Sequence, residues 1–98
     1  MGFKILIAGN AENAIAQLDA DPSIDAMVTD VDMPGTMDGV KLAHHVRNRW
    51  PSVKIIVTSG SAREIIGALP RESIAFEKPY SPERLRDVFI PPLSQANI

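Results

Sequence analysis

The chain has 98 residues, enough for one domain, and 45% of them are apolar against 22% charged, the make-up of a globular protein with a thin core. Ten basic and twelve acidic residues leave a formal charge of −2, which offers no basic surface for wholesale binding to a nucleic-acid backbone. There is no cysteine, so disulfides, thiolate metal sites and cysteine nucleophiles are excluded and a reducing cytosol is suited.

Phe3 to Ala8 is a short β-rich run closed by Gly9 and Asn10, and it predicts a buried strand. Ala11 to Ala20 carries Ala11, Ala14, Ile15 and Leu18 at helical spacing, with Asn10 placed to cap the helix and Asp21-Pro22 to stop it. Ile24 to Asp30 predicts a second strand, and the turn-rich segment from Met33 to Gly39 a loop. Val40 to Trp50 predicts a helix with Val40, Ala43, Val46 and Trp50 inward and Lys41, Arg47, Asn48 and Arg49 toward water, ended by Pro51. Val53 to Thr58 predicts a third strand and Ser59-Gly60-Ser61 a turn. A short helix from Ala62 to Leu69, a fourth strand from Ser73 to Glu77 and a last helix from Ser81 to about Phe89 complete the pattern. Pro91 to Ile98 reads as a tail, so the expected domain is 1–90 with a tail at 91–98.

Alternation of strand and helix implies a parallel sheet with right-handed crossovers, and ligands of such sheets bind outside the carboxyl ends of the strands. Three strands end there on polar groups: Asp30, Thr58 with Ser59, and Lys78. Each residue alone reads as an ordinary loop-edge group; three at equivalent positions read as a site. An aspartate there can attack an activated phosphoryl group and form an acyl phosphate, if positive charge meets the phosphoryl oxygens. Lys78 can supply that charge, and the hydroxyls of Thr58 or Ser59 or the N–H groups of the following turn can bond a phosphate oxygen. A divalent cation such as Mg²⁺ would want several oxygens, with Asp30, Asp32 and water as the local supply.

The segments VTDVDMPG, MDG, VKIIVTSG and KPYSP, in this order and spacing, resemble the receiver domain of two-component response regulators from about Gly2 to Phe89. The resemblance implies a flavodoxin-like α/β fold and a phosphoacceptor role for Asp30. It also implies that Thr58 is the switch hydroxyl, that Lys78 is the lysine of the Lys-Pro motif, and that Asp32 offers its backbone carbonyl to Mg²⁺. The implied partner is a histidine kinase or phosphotransfer protein, and the implied outcome is a switch in a protein-interaction surface, without turnover of a substrate as an enzyme.

The chain departs from that family at its start. By alignment, FKILIAG and the helix after it match the family's second strand and helix, so the first strand, its acidic pair and the first helix have no counterpart. With a family strand order of 2-1-3-4-5, the missing strand is central and its loss would leave a gap of nearly 10 Å. The expected repair is a truncated sheet of about four strands, with FKILIAG moved beside IDAMVTD and the bare face covered by a second copy in a homodimer. In that register Asn10 and Glu12 would stand near the vacated pair, and Glu12 is a further candidate metal contributor as well as an ordinary first-turn acid. Phe76 stands two before Lys78 where the family has its aromatic one position earlier, so it is either core or re-aimed by a bulge.

His44 and His45 are adjacent on a helix and point about 100° apart, which suits surface or packing roles and not chelation. Trp50 is expected to pack at the helix end, and Arg84 and Arg86 to form a solvated face. No apolar stretch approaches the roughly 18 residues of a membrane span and no signal peptide is expected, which suggests a cytoplasmic protein. Without a DNA-binding segment in these residues, output is expected to pass through another protein or self-association. Two functions from different classes remain: a phosphorylatable receiver, or a pseudo-receiver that keeps the surface without competent metal chemistry. A nucleotide or flavin binder would want a Gly-rich loop after the first strand, which is absent.

Overall fold

Runs of β-branched residues alternate here with segments of helical periodicity, and the computed structural model, which describes residues 4–32, 35 and 37–78, resolves them into a parallel sheet with crossover helices. The elements are β1 (Ile5–Ala8), α1 (Ala11–Ala20), β2 (Ala26–Asp30), α2 (Gly39–Arg49), β3 (Lys54–Ser59), α3 (Ala62–Ile65) and β4 (Ser73–Glu77). A 3₁₀ turn over Ile66–Ala68 follows α3, so the single helix expected from Ala62 to Leu69 breaks in two where Gly67 weakens it. The second strand starts at Ala26 and not Ile24, β3 is shifted by one residue to Lys54–Ser59, and α2 begins at Gly39 and ends before Trp50. The helix expected from Ser81, the Lys-Pro proline and the tail lie outside the described residues, as do Met33, Arg84 and Arg86.

The sheet has four strands in the order β1-β2-β3-β4, all parallel. β1 pairs directly with β2, Ile5 against Ala26 through Ala8 against Thr29, which sets FKILIAG beside IDAMVTD as expected. The ladder continues from Ala26 against Lys54 to Asp30 against Thr58, and from Ile55 against Ser73 to Ser59 against Glu77. Each step moves in the same direction. Right-handed crossovers then put all three helices on one face, and the main core agrees: Ala11, Ala14 and Leu18 of α1, Leu42, Ala43 and Val46 of α2, and Ile65 of α3 pack on Leu6, Met27, Ile55 and Val57. The opposite face carries Ala26, Val28 and Ile56 with Ile5 and Phe76 packed against them. Phe76 therefore belongs to this second core, in an uninterrupted register and without a bulge.

Local chemistry sets the helix ends. Asn10 caps α1, its Oδ1 accepting from the Asn13 N–H at 2.8 Å, as its position predicts. Asp38 does the same for α2 through the Lys41 N–H at 2.9 Å. Lys4 and Asp21 form a 2.7 Å ion pair that ties β1 to the end of α1, and Arg49 and Asp19 form another between α2 and α1. His44 Nε2 meets the Ala68 carbonyl at 2.7 Å, while His45 meets Trp50 edge-on. His44 is thus an exposed side chain tied to the turn after α3 and His45 a packed one, and the Arg49 guanidinium lies 4.9 Å over the Trp50 ring.

One charge goes where charge patterning did not put it. Arg47, expected to face water, is only 7% exposed. It follows Ala43 by four positions and Val46 by one, so helical geometry carries it to the edge of the buried stripe. Its guanidinium donates to the carbonyls of Pro51 (2.8 Å), Val53 (3.0 Å), Arg71 (3.1 Å) and Glu72 (3.3 Å). These carbonyls precede β3 and β4, so one planar fork aligns the entry of both strands. Glu72 holds φ at +62°, a left-handed conformation that costs an L-residue about 1–2 kcal/mol. Arg47→Met keeps the apolar stem but strands these acceptors, and should lower stability by about 2–4 kcal/mol in urea unfolding.

Candidate functional site at the carboxyl edge of the sheet

The parallel register decides which side chains meet. Asp30 ends β2 and lies beside Thr58 on β3. Val31 donates its N–H to the Thr58 carbonyl at 2.9 Å, and Lys78 donates its own to the Ser59 carbonyl at 2.9 Å, so both ladders run on past the strand ends. Asp30 and Lys78 are then two strands apart, about 10 Å between backbones. The long lysine stem crosses β3, and its ammonium forms an ion pair with Asp30 Oδ2. Asp30 Oδ1 accepts from the Asp32 N–H at 3.1 Å.

Partial burial pushes the Asp30 carboxyl up, but the Lys78 hydrogen bond, the Asp32 N–H and the ammonium charge outweigh it, and the pKa lies below the usual carboxylate value. Asp30 is thus an anion with a cation beside it. Thr58 forms the floor between the two: it is 2% exposed, and its hydroxyl donates to the Thr29 carbonyl at 3.5 Å, turned into the sheet. Ser59 Oγ accepts from the Ser61 N–H at 3.2 Å, so that turn N–H is already used.

A residue not singled out from the sequence supports the site from below. Gly39 opens α2 and donates its N–H to the Val31 carbonyl at 3.0 Å. A Cβ on Gly39 would fall 2.0 Å from the Asp30 carbonyl oxygen and 2.9 Å from Val31 Cα. Only glycine lets the helix approach the aspartate's own backbone this closely. The Met-Asp-Gly spacing was the available signal: an N-cap followed by a helix-opening glycine is unusual unless something is packed against it. Glu12, the candidate metal contributor, lies against the loop after β2, where a Cβ on Gly35, at φ +112°, would meet its Oε1 at 2.9 Å. Asp32 is exposed, and among the described residues no three His, Cys, Asp or Glu side chains gather as a metal site. Mg²⁺ prefers an oxygen-rich cage, toward which the described residues would offer the Asp30 carboxylate and the Asp32 backbone carbonyl.

Comparisons with known proteins place this geometry. A family model, the response regulator receiver domain, matches residues 1–89. The hydrogenase transcriptional regulatory protein HoxA of Cupriavidus necator is 34% identical over 89 residues, covering 87% of this chain and 18% of the relative, so the chain spans less than a fifth of that protein's length. The response regulator TrrA of Thermotoga maritima, solved with Mg²⁺ and beryllofluoride, superposes with a TM-score of 0.72 at 18% identity, over 91% of this chain and 97% of that one. RcsB of Salmonella enterica serovar Typhimurium, solved on promoter DNA with a phosphomimetic, gives 0.73 at 20% identity, over 96% of this chain and 61% of that one. At these identities the two structures establish a shared fold. No helix among the described residues is long and apolar enough to cross a membrane.

Two outcomes test the site. Gly39→Ala should cost about 1–3 kcal/mol in thermal or urea unfolding, because the methyl meets backbone and not a side chain that can yield. Lys78→Met should raise the Asp30 pKa, read from carboxyl carbon shifts in an NMR titration. A carboxyl whose folded pKa is depressed adds stability above its unfolded pKa and loses it as the pH falls through the folded value. The wild type should therefore lose this contribution on acidification below the usual carboxylate range, and the variant should show a flatter acid limb.

Proposed function

Because the chain belongs to the response regulator receiver domain family, we propose that it is the phosphoacceptor of a phosphorelay, taking a phosphoryl group on Asp30 and changing a protein-interaction surface in response. The Asp30–Lys78 ion pair carries this reading. It joins an ionised carboxylate, free to act as a nucleophile, to the one charge the transfer needs beside the phosphoryl oxygens. The donor is a phosphohistidine of a kinase or phosphotransfer protein. An Asp30 carboxylate oxygen attacks phosphorus, the P–N bond breaks with its electron pair going to the imidazole, and a P–O bond forms an acyl phosphate. Lys78 then shifts its hydrogen bond from the carboxylate to a phosphoryl oxygen. Thr58 can rotate its hydroxyl from the Thr29 carbonyl to the same group, and that rotation is the event that would pass the change on to β3 and α3.

No step is assigned to Mg²⁺, because the described residues supply one site carboxylate. That same observation favours the second reading, a pseudo-receiver in which Lys78 permanently neutralises Asp30 and the surface serves binding alone. In both readings the chain is a signalling module in the cytoplasm and not a turnover enzyme.

Intact mass after incubation with acetyl phosphate, with and without Mg²⁺, separates the two. The expected result is a gain of one phosphoryl mass that Asp30→Asn abolishes. No gain in a folded sample, under either condition, would leave the pseudo-receiver standing.

A further inference from the structure

β1 is the terminal strand among the described residues, and it carries none of the usual devices that blunt an edge. It has no proline and no bulge, and its sequence from Ile5 to Ala8 contains no charge. The Lys4 carbonyl accepts from the Ala26 N–H, so strand alternation turns the backbone groups of Leu6 and Ala8 toward β2 and those of Ile5 and Ile7 outward. Ile7 is 63% exposed, unusual for an isoleucine inside a strand. Beside it runs a groove of about 330 Å³ that wraps the edge, lined by Ile5, Leu6, Ile7, Ile24, Gln17 and the Lys4–Asp21 pair.

We propose that this edge is a homodimer interface, in which β1 of one copy pairs antiparallel with β1 of a second about a twofold axis through Leu6. The register follows from the strand itself. Centring on Leu6 sets Ile5 opposite the partner's Ile7 and Ile7 opposite the partner's Ile5. These are the residues whose N–H and C=O point outward, so each pair exchanges both backbone hydrogen bonds. Their side chains share one face, where β-branched cross-strand pairs pack well. The charges choose the direction. Among the described residues the groove's charged side chains are Lys4 and Asp21, which pair at 2.7 Å and sit at one end. An antiparallel twofold sends the two pairs to opposite ends of the seam, where neither meets its like; a parallel pairing would bring the two lysines together. The neutral middle suits a second copy of itself and has no charge with which to select an acidic or basic peptide. Closure by a twofold also ends the growth of the edge, joining two four-stranded sheets into one.

The proposal is independent of the chemistry at Asp30, so its test contains no phosphodonor. Sedimentation of the full chain across a dilution series should show reversible exchange between 10.7 kDa and about twice that mass. Ile7→Lys, a substitution at an exposed position, should weaken the dimer at least about tenfold with an unchanged circular dichroism spectrum. Ile74→Lys, on the far strand where the side chain is 38% exposed, should leave it intact. Amide exchange at Ile5 and Ile7 of the wild type should slow as concentration rises, which reads the interface without any variant. A chain that stays monomeric at the highest concentration overturns the proposal. So does a dimer that withstands Ile7→Lys, one lost on Ile74→Lys, or one whose Ile5 and Ile7 amides exchange at a rate independent of concentration.

Discussion

A strand packed on both faces cannot leave its backbone N–H and C=O groups without partners, and β2 meets that demand with β1 on one side and β3 on the other. Its buried residues, Ala26 through Thr29, face two cores at once. Without β1 beside it, one row of these groups would be stranded at a cost of several kcal/mol. The β1–β2 ladder is thus the pairing on which the other features rest. It sets α1 on the face shared with α2 and α3, while the β2–β3 register places Asp30 beside Thr58.

Among the described residues β1 is also the outer margin of the sheet. It carries an apolar, uncharged sequence from Ile5 to Ala8. The exposed Ile7 is the visible consequence. At the other end of the strands, Arg47 secures the entries of β3 and β4 with a single guanidinium, and the register it helps define runs five residues on to Lys78. Asp30 and Lys78 meet because each is held at the end of a ladder whose beginning is also pinned. Gly39 adds the vertical constraint, bringing the start of α2 onto the Asp30 peptide.

The site is therefore charged but sparsely built. Among the described residues it brings together one carboxylate, one ammonium and one inward-turned hydroxyl. Glu12 lies against Gly35 in the loop beside the site, and among the described residues it joins no metal-type cluster of acids.

Much of this is legible in the sequence. The helix Ala11–Ala20 with its Asn10 cap and the strand Ser73–Glu77 follow from local chemistry: spacing, capping side chains and proline stops act within a few residues. The residues Asp30, Thr58 and Lys78 were legible too, because parallel strands bring their carboxyl ends to one edge whatever the loops do. Tertiary structure alone decided the rest. The burial of Arg47 depends on carbonyls 4 to 25 positions away that no local pattern reveals. The tight fit at Gly39 depends on the Asp30 backbone, and the side taken by Phe76 depends on an unbroken β3–β4 register. Local pattern set the elements because short-range forces shape them; pairing and close approach set the site, because those depend on which distant segments come to lie side by side.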